Sequence, residues 1–348
     1  MKIRVGILCG GQSSEHEISC ISAAGIYGAI DRDRFEPVLI GITRTGSFVH
    51  VTEPASLSVQ DGKLPEIDPG LPAITATTHG FFLGESDLKI DVLFPILHGP
   101  YGEDGTVQGF AEISGLKYVG SGVLASAVAM DKSFAKPIFA SHGLRVAPGV
   151  VLHKKEWQFA DVQSLQYPLF VKPARSGSSR GTTKVKNAAQ LASAIEEAFT
   201  FDTKVLVEET IVGREIECAV LEINGELAAA PIGEIKILGN HEFYDFEAKY
   251  LDDATEVIFP TDLPAGIENQ IQVSAIKAFK ALSCEGLARV DFFLTPENEV
   301  IINELNTMPG FTLTSMYPKL WAKAGKSYSE IISSLIDAAL ARPLDITR

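Results

Sequence analysis

The chain has 348 residues, 46% of them hydrophobic, and a formal net charge of −14 at pH 7. This length and apolar content are enough for two or three domains with a large buried core. The negative charge argues against a nucleic-acid partner or an anionic membrane surface, because polyanions would be repelled. A phosphate ligand would therefore need local basic groups.

The cysteines and apolar runs indicate the compartment. The four cysteines lack C-x-x-C or other metal-type spacing, which is typical of buried free thiols in a reducing compartment. The apolar start of the chain is too short for a secretory signal, and no apolar run approaches the roughly 18 residues of a membrane span. We therefore expect a cytoplasmic protein without a membrane partner.

The first third of the chain alternates strand and helix patterns. A strand pattern at 3–9 is followed by a helix pattern at 17–30 and a strand pattern at 37–43. This alternation predicts a parallel α/β layer up to about residue 121. The Pro-, Thr- and Gly-rich stretch 51–80 is interpreted as a peripheral excursion from that layer.

A glycine-rich loop follows the next strand pattern of this layer. The strand at 91–97 leads into the loop 98–105, and a helix pattern follows at 106–114. Ligands of α/β sheets lie at the carboxyl ends of the strands. Three glycines and the imidazole of His98 are more than a turn needs, so we interpret the loop as functional.

Beyond residue 122 the pattern changes to strands joined by turns. A strand at 169–173 leads through the loop 174–181 into a second strand at 182–186, which predicts an antiparallel hairpin. Asn187 is a suitable N-cap for a helix at 188–199. The rest of this α+β region contains further strands and helix patterns at about 265–283 and 327–341.

Two strand patterns near the C-terminus bring three oxygen-bearing side chains together. Asp291 lies in the first strand, while Glu304 and Asn306 lie two residues apart in the second and share a face. Two carboxylates and an amide suit Mg²⁺, which takes hard oxygen ligands beside phosphate and water. A solvent-facing hairpin explains the pattern equally well. The polar loop 306–312, directly after a buried strand, favours a binding role.

Three features are suited to bind phosphate, although each also has an ordinary structural explanation. The loop Gly177–Gly181 offers backbone N–H groups and hydroxyls, but it is not a P-loop and, taken alone, fits an ordinary hairpin turn better. Lys172 lies in an apolar strand, where an unpaired lysine is costly, and Lys132 opens a helix. Together with the metal-type triplet, these residues are what an ATP site requires.

A buried strand pattern at 205–211 contains two acids, Glu208 and Glu209. Carboxylates there can accept a hydrogen bond from an adenine amino group, and Glu215 is placed to reach ribose hydroxyls. A solvated strand end is the alternative. A nucleotide-binding oxidoreductase is also an alternative, but Gly10-Gly11 lacks the G-x-G-x-x-G pattern that it needs.

Seven segments resemble, in order and along nearly the whole chain, the motifs of the D-alanine–D-alanine ligase family of the ATP-grasp superfamily. No single segment is decisive, but the ordered set is highly specific. The segments are Gly10–Ser19, His98–Gly105, Met130–Lys132, Val171–Pro173 with Gly177–Ser179, Tyr244–Tyr250, Gly286–Asp291 and Asn303–Phe311.

The resemblance implies a three-domain ATP-grasp fold of α/β and α+β regions, with ATP held between the central and C-terminal domains. The N-terminal parallel α/β domain would span residues 1–121, the central domain 122–213 and the C-terminal domain 214–348. A lid loop at about 239–250 would close the site, because an acyl phosphate must be kept from water. A homodimer is the expected assembly.

The resemblance also implies an ATP site and a metal site. Asp291, Glu304 and Asn306 would hold two Mg²⁺ ions, which Mn²⁺ can replace. Three lysines would contact the phosphates of ATP. The residues implied to bind ATP are Lys132, Lys172, Ser178, Ser179, Glu208, Glu209, Ile211, Glu215, Phe243, Lys249, Phe293, Asn303 and Glu304.

The implied reaction joins two D-alanines for peptidoglycan synthesis. The first would attack the γ-phosphate to give D-alanyl phosphate and ADP, and the amine of the second would then displace phosphate. Glu15 would bind the first ammonium group, in a hydrogen-bonded set with Ser178 and Tyr250. Arg289 and the Gly310 backbone would stabilise the oxyanion.

The second substrate leaves an alternative open within the superfamily. His98 would lie near the reacting carboxylate, Ser315 would bind the carboxylate of the second D-alanine, and Met316 would face its methyl group. The loop at Lys172–Ser179 also resembles vancomycin-resistance ligases, which use D-serine or D-lactate. Apolar Met316 and the Lys249-Tyr250 pair favour D-alanine. A non-catalytic nucleotide sensor is disfavoured, because the implied metal ligands, arginine and lysines are all present.

Overall fold

The computed structural model describes residues 2–237, 255–260 and 262–343. None of the helices in these ranges is long and apolar enough to cross a membrane. Short 3₁₀ helices lie at Pro54–Leu57 and Phe159–Val162. The α-helices are α1 (His16–Ala29), α2 (Thr106–Ile113), α3 (Val123–Met130), α4 (Lys132–Ser141), α5 (Ala188–Phe201), α6 (Ile267–Ala281), α7 (Met316–Lys323) and α8 (Tyr328–Ala341).

The strands of the described residues form four sheets. They are β1 (Ile3–Gly10), β2 (Phe35–Ile42), β3 (Phe48–His50), β4 (Ile74–Thr77), β5 (Gly80–Leu83), β6 (Ser86–Asp87), β7 (Val92–Pro95), β8 (Lys117–Tyr118), β9 (Arg145–Val146), β10 (Gly149–His153), β11 (Leu169–Pro173), β12 (Thr183–Val185), β13 (Lys204–Glu209), β14 (Arg214–Ile223), β15 (Glu226–Ala229), β16 (Gly233–Ile237), β17 (Thr255–Ile258), β18 (Leu287–Leu294) and β19 (Val300–Asn306).

The N-terminal sheet has the strand order β3-β2-β1-β7-β8. β1 pairs in parallel with β2 and β7, and β7 pairs in parallel with β8, while β3 is antiparallel to β2. The last six residues of β1 are all buried, as expected for a parallel strand covered on both faces. The predicted parallel layer is confirmed, with strand and helix ends within about two residues.

The stretch 51–80 is more than the peripheral excursion that its composition predicts. Val51, Leu57 and Ile67 are each buried and belong to the hydrophobic core under α1. The Ile67 N–H also donates to His16 Nε2 at 3.0 Å. The error has a physical reason: single apolar residues among Pro and Gly show no periodicity, yet each fills a place in the core.

The central sheet has the order β10-β13-β11-β12, with every pair antiparallel. The hairpin predicted from the strand–loop–strand pattern is therefore confirmed. α5 packs on this sheet, and its N-cap is Asn187, whose Oδ1 accepts the Ala189 N–H at 3.1 Å. The loop between β11 and β12 carries the Gly177–Gly181 segment.

The C-terminal sheet contains β17-β16-β14-β18-β19-β9, with β15 paired to β14. β18 and β19 are antiparallel, and Asp291 lies opposite Glu304 in their register. Helices α3 and α4 share a hydrophobic core with β18 and β19, through residues such as Ala129 and Phe139. The residues that precede β10 thus pack on the C-terminal sheet.

The last two helices connect the C-terminal sheet to the N-terminal layer. Phe311, just before α7, is fully buried, with its ring centre 6.1 Å from that of Phe94 in β7. The Tyr328 hydroxyl of α8 donates to the Phe311 carbonyl at 2.5 Å. These contacts hold the loop 306–312 against the N-terminal layer.

Candidate active site

A cavity of about 390 Å³ lies between the central and C-terminal sheets, within the size range of small-molecule sites. β11, β13 and the Gly177–Gly181 loop line one side, and β14, β18 and β19 line the other. Most of the sequence-predicted ATP residues meet here. They are Lys132, Lys172, Ser178, Ser179, Glu208, Glu209, Ile211, Glu215, Phe293, Asn303 and Glu304.

Carboxylates hold the two predicted phosphate-binding lysines of the described chain. Lys172 Nζ lies 2.5 Å from Glu208 Oε2, and Lys132 Nζ lies 3.1 Å from Glu304 Oε2. Burial by itself would raise the pKa of Glu208, but Lys136 and Lys172 lower that pKa to about 2. The cavity thus holds charged groups whose ion pairs an anionic ligand can rearrange.

The serines of the glycine-rich loop have an unusual backbone. Ser178 and Ser179 have φ of +50° and +57°, a left-handed conformation that costs free energy in residues other than glycine. The Ser178 hydroxyl donates to Glu15 Oε1 at 2.5 Å. The loop thereby contacts the N-terminal domain, at the residue predicted to bind the first ammonium group.

A second cavity, of about 580 Å³, continues from the first. The two cavities share Lys132, Ser176, Ser178, Glu217 and Glu304 on their walls. The second is lined by the predicted substrate and catalytic residues Glu15, His98, Ser178, Arg289, Gly310, Ser315 and Met316, and also by Asn306.

His98 is buried, and both of its ring nitrogens have hydrogen-bond partners. Its Nδ1 lies 3.0 Å from the Met308 carbonyl, so Nδ1 must carry the proton, and Nε2 accepts from the Ser22 hydroxyl at 3.2 Å. Burial lowers the pKa of His98, although Glu15 and Met308 oppose that shift. The ring is therefore held in place through both nitrogens, and its burial disfavours the charged form.

Glu103 also bonds the backbone of Met308, although the sequence suggested no role for it. Its carboxylate accepts the Gly99 N–H at 2.7 Å and the Met308 N–H at 3.1 Å. Burial and the charge of Glu15 raise the pKa of Glu103 to about 8, despite these two donors. His98 thus bonds the backbone carbonyl of Met308, and Glu103 bonds its backbone N–H. Together they position the loop that carries Gly310.

Arg289 is held between two carboxylates. Its Nε and Nη2 donate to the two Asp291 oxygens at 2.8 and 2.7 Å, and Nε lies 3.0 Å from Glu217 Oε2. These neighbours raise the pKa of Arg289 despite its burial. The guanidinium is consequently a fixed positive group on the wall of the second cavity.

The three predicted metal ligands lie together on β18 and β19. Asp291 faces Glu304 across the strand pair, and Asn306 Nδ2 donates to Asp291 Oδ2 at 3.0 Å. Within the described ranges no group of three or more His, Cys, Asp or Glu side chains could hold a metal. The donor set of two carboxylates and an amide oxygen beside a nucleotide-sized cavity nevertheless fits Mg²⁺, which completes its shell with phosphate and water.

Three predicted site residues, Phe243, Lys249 and Tyr250, and the predicted lid at 239–250 lie outside the described residues. The sequence reasoning missed Glu103, Glu217 and Lys136. Each left a weak signal: Glu217 and Glu215 alternate along a strand, Glu103 lies in the functional loop, and Lys136 follows Lys132 by one helical turn.

The fold and this pair of cavities define an ATP-grasp enzyme. Sequence models described as the N-terminus and the C-terminus of D-ala D-ala ligase match residues 4–121 and 138–337. The chain belongs to the D-alanine–D-alanine ligase family, and membership of this ATP-dependent family disfavours both the oxidoreductase and the non-catalytic sensor.

Named relatives and solved structures agree with this assignment. The D-alanine–D-alanine ligase of Pseudarthrobacter chlorophenolicus is 48% identical, covering 98% of this chain and 95% of its own. That of Kineococcus radiotolerans is 45% identical, covering 98% of both. The Coxiella burnetii D-alanine–D-alanine ligase structure has a TM-score of 0.84 at 35% identity, covering 97% of this chain and 94% of that one. The VanG D-Ala:D-Ser ligase of Enterococcus faecalis has a TM-score of 0.87 at 37% identity, covering 97% and 100%.

Proposed function

We propose that this protein joins two D-alanines to D-alanyl-D-alanine, using ATP and releasing ADP and phosphate, for peptidoglycan synthesis. The connection of the two cavities carries the proposal. A nucleotide in the first cavity would place its γ-phosphate at the shared wall, beside Lys132. An amino acid held by Glu15 would reach that wall from the other side.

In the first step a carboxylate oxygen of D-alanine attacks the γ-phosphorus, and ADP leaves. The Glu15 carboxylate, which is 8% exposed, binds the substrate ammonium and fixes the direction of the carboxylate. Lys132 and Lys172 neutralise the phosphates, and positioning and neutralisation supply most of the catalysis in phosphoryl transfer. The product of this step is D-alanyl phosphate.

In the second step the neutral amine of another D-alanine attacks the acyl carbon. The tetrahedral intermediate places negative charge on the former carbonyl oxygen, beside Arg289 and the Gly310 N–H. A fixed donor to such an oxyanion contributes roughly 3–4 kcal/mol. Collapse of the intermediate expels phosphate, and the amine proton leaves to solvent or phosphate.

Asp291, Glu304 and Asn306 are the residues that would hold two Mg²⁺ ions in this proposal. When bound, Mg²⁺ neutralises the charge that develops on phosphoryl oxygens, and Mn²⁺ can do the same. Metal binding would require side-chain rearrangement, because Asp291 forms an ion pair with Arg289 and Glu304 forms one with Lys132.

Met316 favours D-alanine as the second substrate. It is 6% exposed, lies beside Ser315 and packs closely against Gly233. A D-serine hydroxyl beside a thioether would lose its hydrogen bonds to water, although apolar pockets reject an added hydroxyl only modestly. A D-Ala:D-Ser ligase is the second candidate, because the VanG enzyme shares the fold over 97% of this chain.

Phosphate release with D-alanine alone, and with equimolar D-serine or D-lactate added, tests the proposal when products are identified by mass. We expect D-alanyl-D-alanine to dominate each mixture. A dominant mixed product would assign the protein to the second candidate, and no ATP-dependent product would contradict both.

Four further features belong to the same proposal. The division at residues 121 and 213, the lid at about 239–250 and the homodimer are implied by the family resemblance. Within that division, α3, α4 and β9 pack with the C-terminal sheet rather than with the central one. A cytoplasmic location is supported by the cysteines, because free thiols persist in a reducing compartment. All four are free and buried: Cys9, Cys20, Cys218 and Cys284. Sedimentation of the intact chain would test the dimer.

A further inference from the structure

One buried carboxylate in the first cavity carries two lysines. Glu208 Oε2 lies 2.5 Å from Lys172 Nζ, and Glu208 Oε1 lies 2.5 Å from Lys136 Nζ. Glu208 is 4% exposed and Lys136 is 6% exposed. This trio has one more positive charge than negative, which is costly in a buried place unless an anion completes it.

The two lysines differ in their access to the ligand. Lys172 lines the cavity and contacts Asn303 Oδ1 at 3.4 Å as well. Lys136 lies in the second turn of α4, behind Glu208, and does not line either cavity. Apart from Glu208, its ammonium has no acceptor among the described residues. Burial lowers its pKa to about 8 against the attraction of Glu208.

We propose that Lys136 is a positioning residue that keeps Glu208 charge-balanced while Lys172 transfers from Glu208 to the phosphates of ATP. The inference rests on the proposed function, because it requires ATP in this cavity. A nucleotide contains the anion that the trio lacks. Lys136 stays behind as the counter-ion, and the released Glu208 Oε2 becomes available to the adenine amino group.

The alternative without Lys136 shows why a second lysine is needed. If Glu208 had Lys172 alone, moving Lys172 to the phosphates would leave a buried, unpaired carboxylate. Leaving one member of a buried ion pair without its partner is strongly unfavourable. The free energy of ATP binding would then have to offset the cost of breaking the Glu208–Lys172 pair, so the affinity for ATP would fall.

Calorimetric binding of a non-hydrolysable ATP analogue with Mg²⁺ tests the proposal on the full chain. Lys136→Gln keeps a hydrogen-bond donor for Glu208 but removes the charge, and Lys136→Met removes both. We expect each variant to bind the analogue at least about tenfold more weakly. Their melting temperatures without nucleotide should stay near that of the parent, because Glu208 still has Lys172. Lys136→Arg should retain most of the affinity.

Lys117→Met is a matched structural control. Lys117 is a partly buried lysine of β8 that donates to the Leu340 carbonyl and lines neither cavity. It should lower the melting temperature without changing affinity for the analogue. The proposal would be overturned if Lys136→Gln bound the analogue as tightly as the parent, or if the Lys136 variants behaved like Lys117→Met. Failure of the parent itself to bind the analogue would instead overturn the proposed function.

Discussion

Glu304 is the residue at which the proposed metal and phosphate sites meet a lysine. It lines both cavities and pairs with Lys132 at 3.1 Å. In Glu304→Gln the amide oxygen can still accept from Lys132, so the fold should persist. A neutral amide is a poorer Mg²⁺ ligand than a carboxylate, so we expect kcat to fall at least about 100-fold, on the scale of losing a key electrostatic group.

Titration of the rate with Mg²⁺, together with thermal unfolding, checks this prediction. Near-normal turnover at ordinary Mg²⁺ would contradict the metal assignment. Asp291→Ala is a less specific test, because Asp291 binds both Nε and Nη2 of Arg289. Its loss of activity would mix the metal with the oxyanion donor.

Glu103 should make stability fall with rising pH. Burial and Glu15 raise its pKa to about 8 from the ordinary value of 4.5. Between these two values the native state keeps a proton that the unfolded state has lost, so the free energy of unfolding falls as pH rises through the window. The slope from one such group is at most about 1.4 kcal/mol per pH unit.

Denaturant unfolding of Glu103→Gln and the parent at pH 5 to 8 measures this effect as a difference. We expect the free energy of unfolding of the variant to rise relative to that of the parent as pH rises, because glutamine has no proton to lose. Glu85→Gln, at an exposed position, is the control and should track the parent. A constant difference for Glu103→Gln would refute the raised pKa.

The sequence predicts the role of a single residue where that role depends on residue type. It does not predict the role where it depends on a partner that is distant in the sequence. Asn187 was correctly expected as a cap, since capping is local to one turn. Glu208 pairs with Lys136, which lies 72 positions earlier in the sequence, and no periodic pattern in the sequence indicates this contact. Glu103 and Glu217 were missed for the same reason.

Helix α8 offers a prediction at the scale of one element. Its N-cap Ser327 accepts the Glu330 N–H at 3.3 Å, and Glu330 Oε2 accepts the Ser327 N–H at 2.7 Å, which forms a capping box. Ser327→Ala should lower the free energy of unfolding by about 1 kcal/mol. The kinetic constants should not change, because Ser327 lines neither cavity.

Chemical denaturation of Ser327→Ala beside Ser327→Asp measures this contribution. Aspartate is an equally good cap and should restore most of the stability. A change in kcat for the alanine variant would mean that α8 affects the site through Phe311, which Tyr328 contacts.

Elements with strong periodicity were predicted from the sequence to within about two residues. The sequence pattern predicts β11 at 169–173, as found, and the α1 pattern at 17–30 lies within one residue of His16–Ala29. The stretch 51–80 was misjudged, because its buried residues follow no period. Which sheet α3 and α4 pack against was also beyond sequence reasoning, since it depends on tertiary contacts.

At the scale of the whole molecule, the proposed function depends on the meeting of three regions. The N-terminal layer supplies Glu15, the central sheet supplies Lys172, and the C-terminal sheet supplies Arg289. The ordered motifs predicted this meeting through family resemblance, and the structure brings these residues to connected cavities. Composition alone predicted only a globular chain without a polyanionic partner.

The most direct test of the account is the fate of a carboxylate oxygen. D-Alanine labelled with oxygen-18 in its carboxylate is incubated with the protein, ATP and Mg²⁺, and the products are weighed by mass spectrometry. The acyl phosphate route predicts D-alanyl-D-alanine together with phosphate that carries one labelled oxygen, because the attacking carboxylate oxygen leaves with phosphate. Dipeptide with unlabelled phosphate, or label in AMP, would contradict the acyl phosphate route.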